Sequence, residues 1–230
     1  SGHLTKRPDI VLYINGIALG VLELKRSVVS VSEGIRQNLD NQKKEFIERF
    51  FTTVQFVMAG NDTQGLRYAP IGTPEKYYLT WKEESEIEDP LDRALLQLCE
   101  KNRLLELIHN FIVYDAGTKK LCRHNQYFGV KAAQERIRKR EGGVIWHTQG
   151  SGKSLTMVWL AKWIHENIKN SRVLIITDRI ELDQQIEGVF KGVEEDIRRT
   201  KSGADLVGKL NQAKYWLIGS LIHKFPGQEE

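Results

Sequence analysis

Near the start of the chain stand Asp9, Glu23 and Lys25, spaced Asp-x13-Glu-x-Lys. Two carboxylates that meet can hold a divalent metal such as Mg2+, and an ammonium beside them can position or activate a water for attack on a phosphodiester. A second group lies far downstream, where Val144-Ile145-Trp146-His147 runs into Thr148-Gln149-Gly150-Ser151-Gly152-Lys153-Ser154 and then into a helix-forming stretch. An apolar run, a Gly-rich turn and a helix together make a phosphate cradle. Gly150 and Gly152 let backbone N–H groups curl around phosphates, and the helix N-terminus adds its partial positive charge. Lys153 can reach the β- and γ-phosphates of ATP, and the Ser154 hydroxyl can ligate the accompanying Mg2+. His147 stands six residues before Lys153, where such loops usually open on Gly or Ala.

These side chains work only if secondary structure delivers them. Ile10–Ile14 and Ala18–Leu24 are β-branched-rich runs around Asn15-Gly16, the strongest short hairpin signal. Alternation along the second run puts Glu23 and Lys25 on one face. Register then decides the site. A two-residue Asn15-Gly16 turn with unbroken pairing sets Asp9 opposite Leu22, on the wrong face. A three-residue loop, or a bulge, sets it opposite Glu23, so the site demands one or the other. A helix is predicted from Ser32 to about Arg49, then strands over Phe51–Met58 and Tyr77–Trp81. Asp89-Pro90 reads as N-cap and first residue of another helix, followed by one over Arg103–Asn110.

Beyond Tyr114 the pattern changes. Helices over Tyr127–Lys139, Leu155–Asn167 and Leu182–Phe190 alternate with strands over Val144–His147, Arg172–Thr177 and Trp216–Leu221. Such alternation predicts a parallel α/β sheet. In the helix after the phosphate loop, Met157, Leu160, Ala161 and Ile164 are spaced for a core face. The basic run Arg136–Arg140 suits a solvated helix end or a nucleic-acid contact.

Composition narrows the class. The chain has 230 residues, of which 40% are hydrophobic and 28% charged, which fits an ordinary globular protein of one or two domains. Its longest apolar runs, such as Val54–Ala59 and Val173–Thr177, are too short to span a bilayer. Cys99 and Cys122 are the only cysteines, which excludes a disulfide scaffold or Cys-rich metal site and suits a reducing, cytoplasmic compartment. The net charge of +4 hides a division: residues 83–114 carry 3 basic and 8 acidic side chains, and both flanking blocks are basic. Basic flanks suit a polyanion partner, and they suit solvated surface equally well. The chain opens on Ser1-Gly2-His3 and closes on Gln228-Glu229-Glu230, from which we expect a piece of something longer.

The stretches Arg7–Leu12, Gly20–Lys25 and Gln55–Asn61 resemble the PD-(D/E)XK nuclease domain of type I restriction enzyme R subunits. His147–Ser154, Ile176–Arg179 and His223-Lys224-Phe225 resemble the superfamily 2 helicase-like motor that follows it. The resemblance implies a mixed-sheet nuclease domain over residues 1–82, a helical connector over 83–122, and the first RecA-like parallel α/β P-loop domain over 123–230, truncated. It implies that Asp9 and Glu23 ligate Mg2+ and that Lys25 is catalytic. In related nucleases a Gln-x-x-x-Tyr pair supports the site; Gln37 matches the Gln, and Asn41 stands where Tyr would be. It also implies ATP binding by Thr148–Ser154, with Gln126 at the adenine, and contacts from Arg179, Ser220 and Lys224 to the DNA backbone. The activity implied is Mg-dependent cleavage of double-stranded DNA coupled to ATP-driven translocation, with methyltransferase and specificity subunits as partners. No acidic pair follows an apolar strand after Ser154, so this segment alone is expected to bind nucleotide without turning it over. From the residues alone, a P-loop ATPase whose first block is a docking or DNA-binding module remains open.

Overall fold

The computed structural model describes residues 5–225. Both chain ends discussed above, residues 1–4 and 226–230, lie outside them. The chain is mixed α/β and forms two compact units. One contains residues 5–113 with 119–124; the other contains 114–118 with 125–225. Among the described residues, no helix is long and apolar enough to cross a membrane.

The first unit is built on a four-stranded sheet of order β1-β2-β3-β4, with β1 Ile10–Ile14, β2 Ile17–Leu24, β3 Phe56–Asn61 and β4 Gly65–Pro70. β2 and β3 run parallel, and the outer pairings are antiparallel. Asn15 and Gly16 both adopt positive φ, 51° and 80°, as a tight two-residue hairpin turn requires. Pairing starts as Ile14 with Ile17 and Tyr13 with Ala18, then shifts so that Leu12 pairs with Gly20 and Ile10 with Leu22. One extra residue, Leu19, is thus left without a partner in β1, though its carbonyl still accepts from the Gln55 N–H at 2.8 Å, and the shift brings Asp9 level with Glu23. The same shift puts Ala18, Val21 and Glu23 on one face.

α1 (Val31–Asn41) lies on that face, capped by the Ser30 hydroxyl. Its Val31 and Ile35 pack on Ala59. The helix stops eight residues short of the expectation. Beyond Asn41 the chain turns. A 3-10 helix (Glu48–Thr52) then returns Ile47, Phe50 and Phe51 to Val21, Val54 and Val57, further along the same face. Accordingly the next strand begins at Phe56, not Phe51. Tyr77–Trp81 contributes a single bridge, Leu79 with Tyr68, not a full strand. α2 (Pro90–Leu98) begins as expected, with Asp89 accepting from the N–H groups of Leu91 and Asp92. α2 packs on β4, and α3 (Lys101–Asn110) belongs to the same unit. A short ribbon follows, β5 (Ile112–Asp115) with β6 (Thr118–Leu121).

The second unit holds α4 (His124–Arg138), α5 (Lys153–Asn167), β7 (Val173–Thr177), α6 (Ile180–Gly192), β8 (Arg198–Arg199), α7 (Gly203–Leu210) and β9 (Leu217–Leu221). Its sheet has the order β7-β9-β8 and is parallel throughout, with β9 buried at the centre. The strand expected over Val144–His147 does not form. A strand exists through ladder hydrogen bonds, and among the described residues no ladder reaches this segment; Val144 and Trp146 are 87% and 90% exposed. The core face of α5 is also displaced: Val158, Trp159, Ala161 and Trp163 are buried, whereas Met157 is exposed. That helix is apolar nearly all round, so periodicity could not choose its inner side.

Candidate functional site

Glu23 is fully buried at the end of β2, where the segment before β1 and the helix α1 supply its neighbours. Asp9, just before β1, accepts a hydrogen bond from the Leu24 N–H through Oδ2 at 2.8 Å. Gln37 on α1 donates through Nε2 to Glu23 Oε2 at 2.6 Å and accepts from the Lys25 ammonium through Oε1 at 2.5 Å. An amide has one end of each kind, so this single orientation satisfies both partners. Asn41, one turn further along α1, donates through Nδ2 to Glu23 Oε1 at 3.1 Å. Both carboxylate oxygens are therefore held by α1.

Close packing makes this possible. A Cβ on Gly34 would lie 3.0 Å from the Ala59 Cβ, so only a small pair lets α1 approach the sheet so nearly. Gly34, Gln37, Asn38 and Asn41 share one helical face. Asn38 fixes the same face by donating to the Met58 carbonyl at 2.8 Å. Asn41 is the residue the sequence reading missed as a participant. The amide-rich Gly34-x-x-Gln37-Asn38-x-x-Asn41 spacing is the signal that marks it, since polar amides on a helix's buried face need partners.

Burial pushes the Glu23 carboxyl up from 4.5 to about 7; the charge of Asp9 and a hydrogen bond shared with it add to the rise, and Lys25 opposes it. Burial of a carboxyl beside a like charge gives this pattern, and a cation between the two relieves it. The donor set suits a hard divalent ion such as Mg2+, which keeps water in its shell and needs only one or two carboxylates. Among the described residues no group of three or more His, Cys, Asp or Glu side chains is placed to hold a metal.

The phosphate loop lies in the second unit. Gly150 and Gly152 take φ of 76° and 83°, and Gly152 is the residue from which α5 starts. Ser151 is buried, with its N–H and hydroxyl both on the Thr148 carbonyl at 3.3 and 2.7 Å. Lys153 is exposed and donates to the carbonyls of His147 and Thr148 at 3.3 and 2.9 Å. Gln149 is exposed, and Ser154 stands half-buried in the first turn of α5. Gln126 is buried on α4 and donates to the Gly152 carbonyl at 2.9 Å, so the structure brings it to the loop itself.

The three residues expected at a DNA backbone fare differently. Arg179 is exposed beside Asp178, 3.6 Å away. Ser220 is buried in β9, where its hydroxyl accepts from Thr200 at 2.8 Å and reaches the Leu221 carbonyl. Its side chain therefore faces into the sheet, away from the surface. Lys224 is half-buried, with its ammonium on the Thr200 carbonyl.

Comparison with known proteins covers both units. The family described as type I restriction enzyme R protein N terminus matches residues 1–76, and the SWI2/SNF2 ATPase family matches residues 125–230. A Methanocaldococcus jannaschii chain named as a type I restriction enzyme MjaVIIIP endonuclease subunit is 30% identical over 95% of this chain and 24% of its own length. The type I restriction enzyme HindI endonuclease subunit of Haemophilus influenzae is 27% identical over 89% of this chain and 22% of its own. The SsaAORF53P endonuclease subunit of Staphylococcus saprophyticus is 27% identical over 95% and 24%. The chain thus spans about a quarter of the length of these relatives. With an R-subunit N-terminal match on the unit that holds Asp9, Glu23 and Lys25, and an ATPase match on the unit that holds the phosphate loop, the chain belongs to the R subunits of type I restriction enzymes.

Proposed function

We propose that the first unit is a PD-(D/E)XK nuclease centre and the second the start of a RecA-like motor, together serving ATP-driven translocation and cleavage of double-stranded DNA. The observation that carries this reading is the convergence of Asp9, Glu23, Lys25 and Gln37 on one sheet end through a bulge that no structural need of the hairpin turn demands. Asp9 and Glu23 would hold Mg2+, which when bound polarises the scissile phosphate and favours hydroxide over water. Gln37 keeps the Lys25 ammonium beside Glu23, where it can orient the attacking water and offset charge on the phosphate. Asn41 and Gln37 keep the carboxylate from rotating.

In the second unit the Gly150–Ser154 amides and Lys153 would receive the triphosphate of ATP, with Ser154 toward its Mg2+ and Gln126 on the adenine side. Exposed Arg179 is the residue best placed for a DNA phosphate, with Lys224 a secondary contact. Methyltransferase and specificity subunits would supply sequence recognition. The test is plasmid cleavage by the full-length protein with those subunits, Mg2+ and ATP. Lys25→Ala should lower cleavage by about 100-fold or more, the usual scale for loss of a group that moves or positions a proton, and should leave ATP hydrolysis in place. Lys153→Ala should stop both. Cleavage at the parental rate by the Lys25 variant would refute the nuclease assignment, and ATP binding unaffected by Lys153→Ala would refute the motor assignment.

A further inference from the structure

α4 touches the phosphate loop at both of its ends. Gln126, in the first turn of the helix, is hydrogen-bonded to the Gly152 carbonyl where the loop becomes α5. One turn later on the same face is Gly129, and against it lies the His147 ring, at the other end of the loop. A Cβ at position 129 would stand 3.2 Å from His147 Cε1 and 3.3 Å from Nε2, closer than side chains normally tolerate, with Ile145 Cγ2 at 3.4 Å. The His147 Nδ1 is buried and has no hydrogen-bond partner, so no bond through that atom holds the ring. Its seat is set by shape, by the bare backbone of Gly129. The carbonyls of His147 and Thr148 in turn meet the Lys153 ammonium, so the ring's position is transmitted to the lysine that would meet the triphosphate.

We propose that His147 and Gly129 act as a matched pair that seats the phosphate loop on α4, making His147 a positioning residue for nucleoside triphosphate. The bulky residue at the loop's first position, where Gly or Ala is usual, is then not a tolerated irregularity. It fills the notch that a glycine leaves on the helix carrying Gln126. Base-side and phosphate-side contacts of the nucleotide are thereby held on one rigid element.

This rests on the reading that the loop binds ATP, and the experiment separates the two. Equilibrium binding of Mg-ATPγS to the full-length protein is measured for Gly129→Ala, His147→Ala, both together, and Lys153→Ala. Gly129→Ala alone should weaken binding about tenfold, and in the His147→Ala background it should change binding less than about twofold, a coupling typical of residues in contact. Thermal unfolding is followed in parallel. Ala is the better helix former, so Gly129→Ala should leave α4 as stable or more so, and weaker binding cannot then be laid to unfolding. Equal effects of Gly129→Ala in both backgrounds, or none in either, would overturn the proposal. Binding unchanged by Lys153→Ala would instead remove the ATP reading beneath it.

Discussion

Glu23 offers the sharpest quantitative handle, because burial pushes its carboxyl up from 4.5 to about 7. An acid whose folded pKa lies above its unfolded value binds its proton more tightly when folded. Stability from that proton is complete below about pH 4.5 and is lost as pH rises through about 7. With 4.5 for the unfolded chain and about 7 for the folded one, the loss between pH 5.5 and 8 is about 2 kcal/mol, or roughly thirtyfold in an opening equilibrium. Hydrogen exchange of the β2 and β3 amides reads that equilibrium locally, once corrected for the intrinsic pH dependence of exchange. In chelator, protection of these strands should fall about thirtyfold from pH 5.5 to 8. In Glu23→Gln the fall should largely vanish. Other titrating groups, His124 among them, are common to both proteins and cancel in the comparison. Ca2+ added at pH 8 should restore protection in the parent and not in the variant, since a cation replaces the proton between Asp9 and Glu23. If the two proteins show the same pH slope, Glu23 is not the group that titrates, and the crowded-carboxylate account of the site is wrong.

Three further outcomes follow from contacts already described or adjacent to them. Asn41→Ala removes one of the two donors on the Glu23 carboxylate and should lower β2 protection by about 1–2 kcal/mol, measured by the same exchange experiment. Gly152→Ala places a Cβ 2.3 Å from Gln126 Nε2 at a φ of 83°, and should weaken Mg-ATPγS binding by roughly 5- to 30-fold, in proportion to a strain of about 1–2 kcal/mol, in a direct titration. Arg199→Met leaves Asp183, buried on α6, without the guanidinium that also holds Glu187 at 2.9 Å, and should destabilise the second unit by about 3–5 kcal/mol in urea unfolding followed by its tryptophans.

How far the sequence disclosed all this depends on how local each determinant is. The Asn15-Gly16 turn and the Asp89-Pro90 cap are set by a few adjacent residues, and both were legible. So was the need for an irregular hairpin, because the side-chain period of two leaves no other way to bring Asp9 to Glu23. Where that irregularity would fall, at Leu19 and not in the turn, was not legible. The 3-10 return after α1 was hidden for another reason: only the sheet face tells the chain where Phe50 and Phe51 must land. The ribbon of β5 and β6 escaped because its turn uses Ala116 at a φ of 48°, a conformation alanine seldom adopts. The role of Asn41 was hidden because its partner, Glu23, meets it only once α1 packs on the sheet.

The two candidate sites also differ in what makes them readable. A phosphate loop is written in consecutive residues, so Gly150–Ser154 announces itself, and only its neighbours on α4 require the fold. The carboxylate cluster is the reverse. Asp9, Glu23, Gln37 and Asn41 come from three elements, and no two of the four adjoin in sequence. What binds them is a set of small concessions in packing: a bulge that shifts one register, and a glycine that lets a helix approach an alanine. Each concession weakens the sheet or helix that makes it, since Gly34 lies inside α1 and Leu19 has no partner in β1. An ordinary core would have no reason to keep both, and to bury a carboxylate between them with its proton held near neutrality. That cost in a region otherwise well packed is the strongest physical argument for the proposed cation site at this end of the sheet.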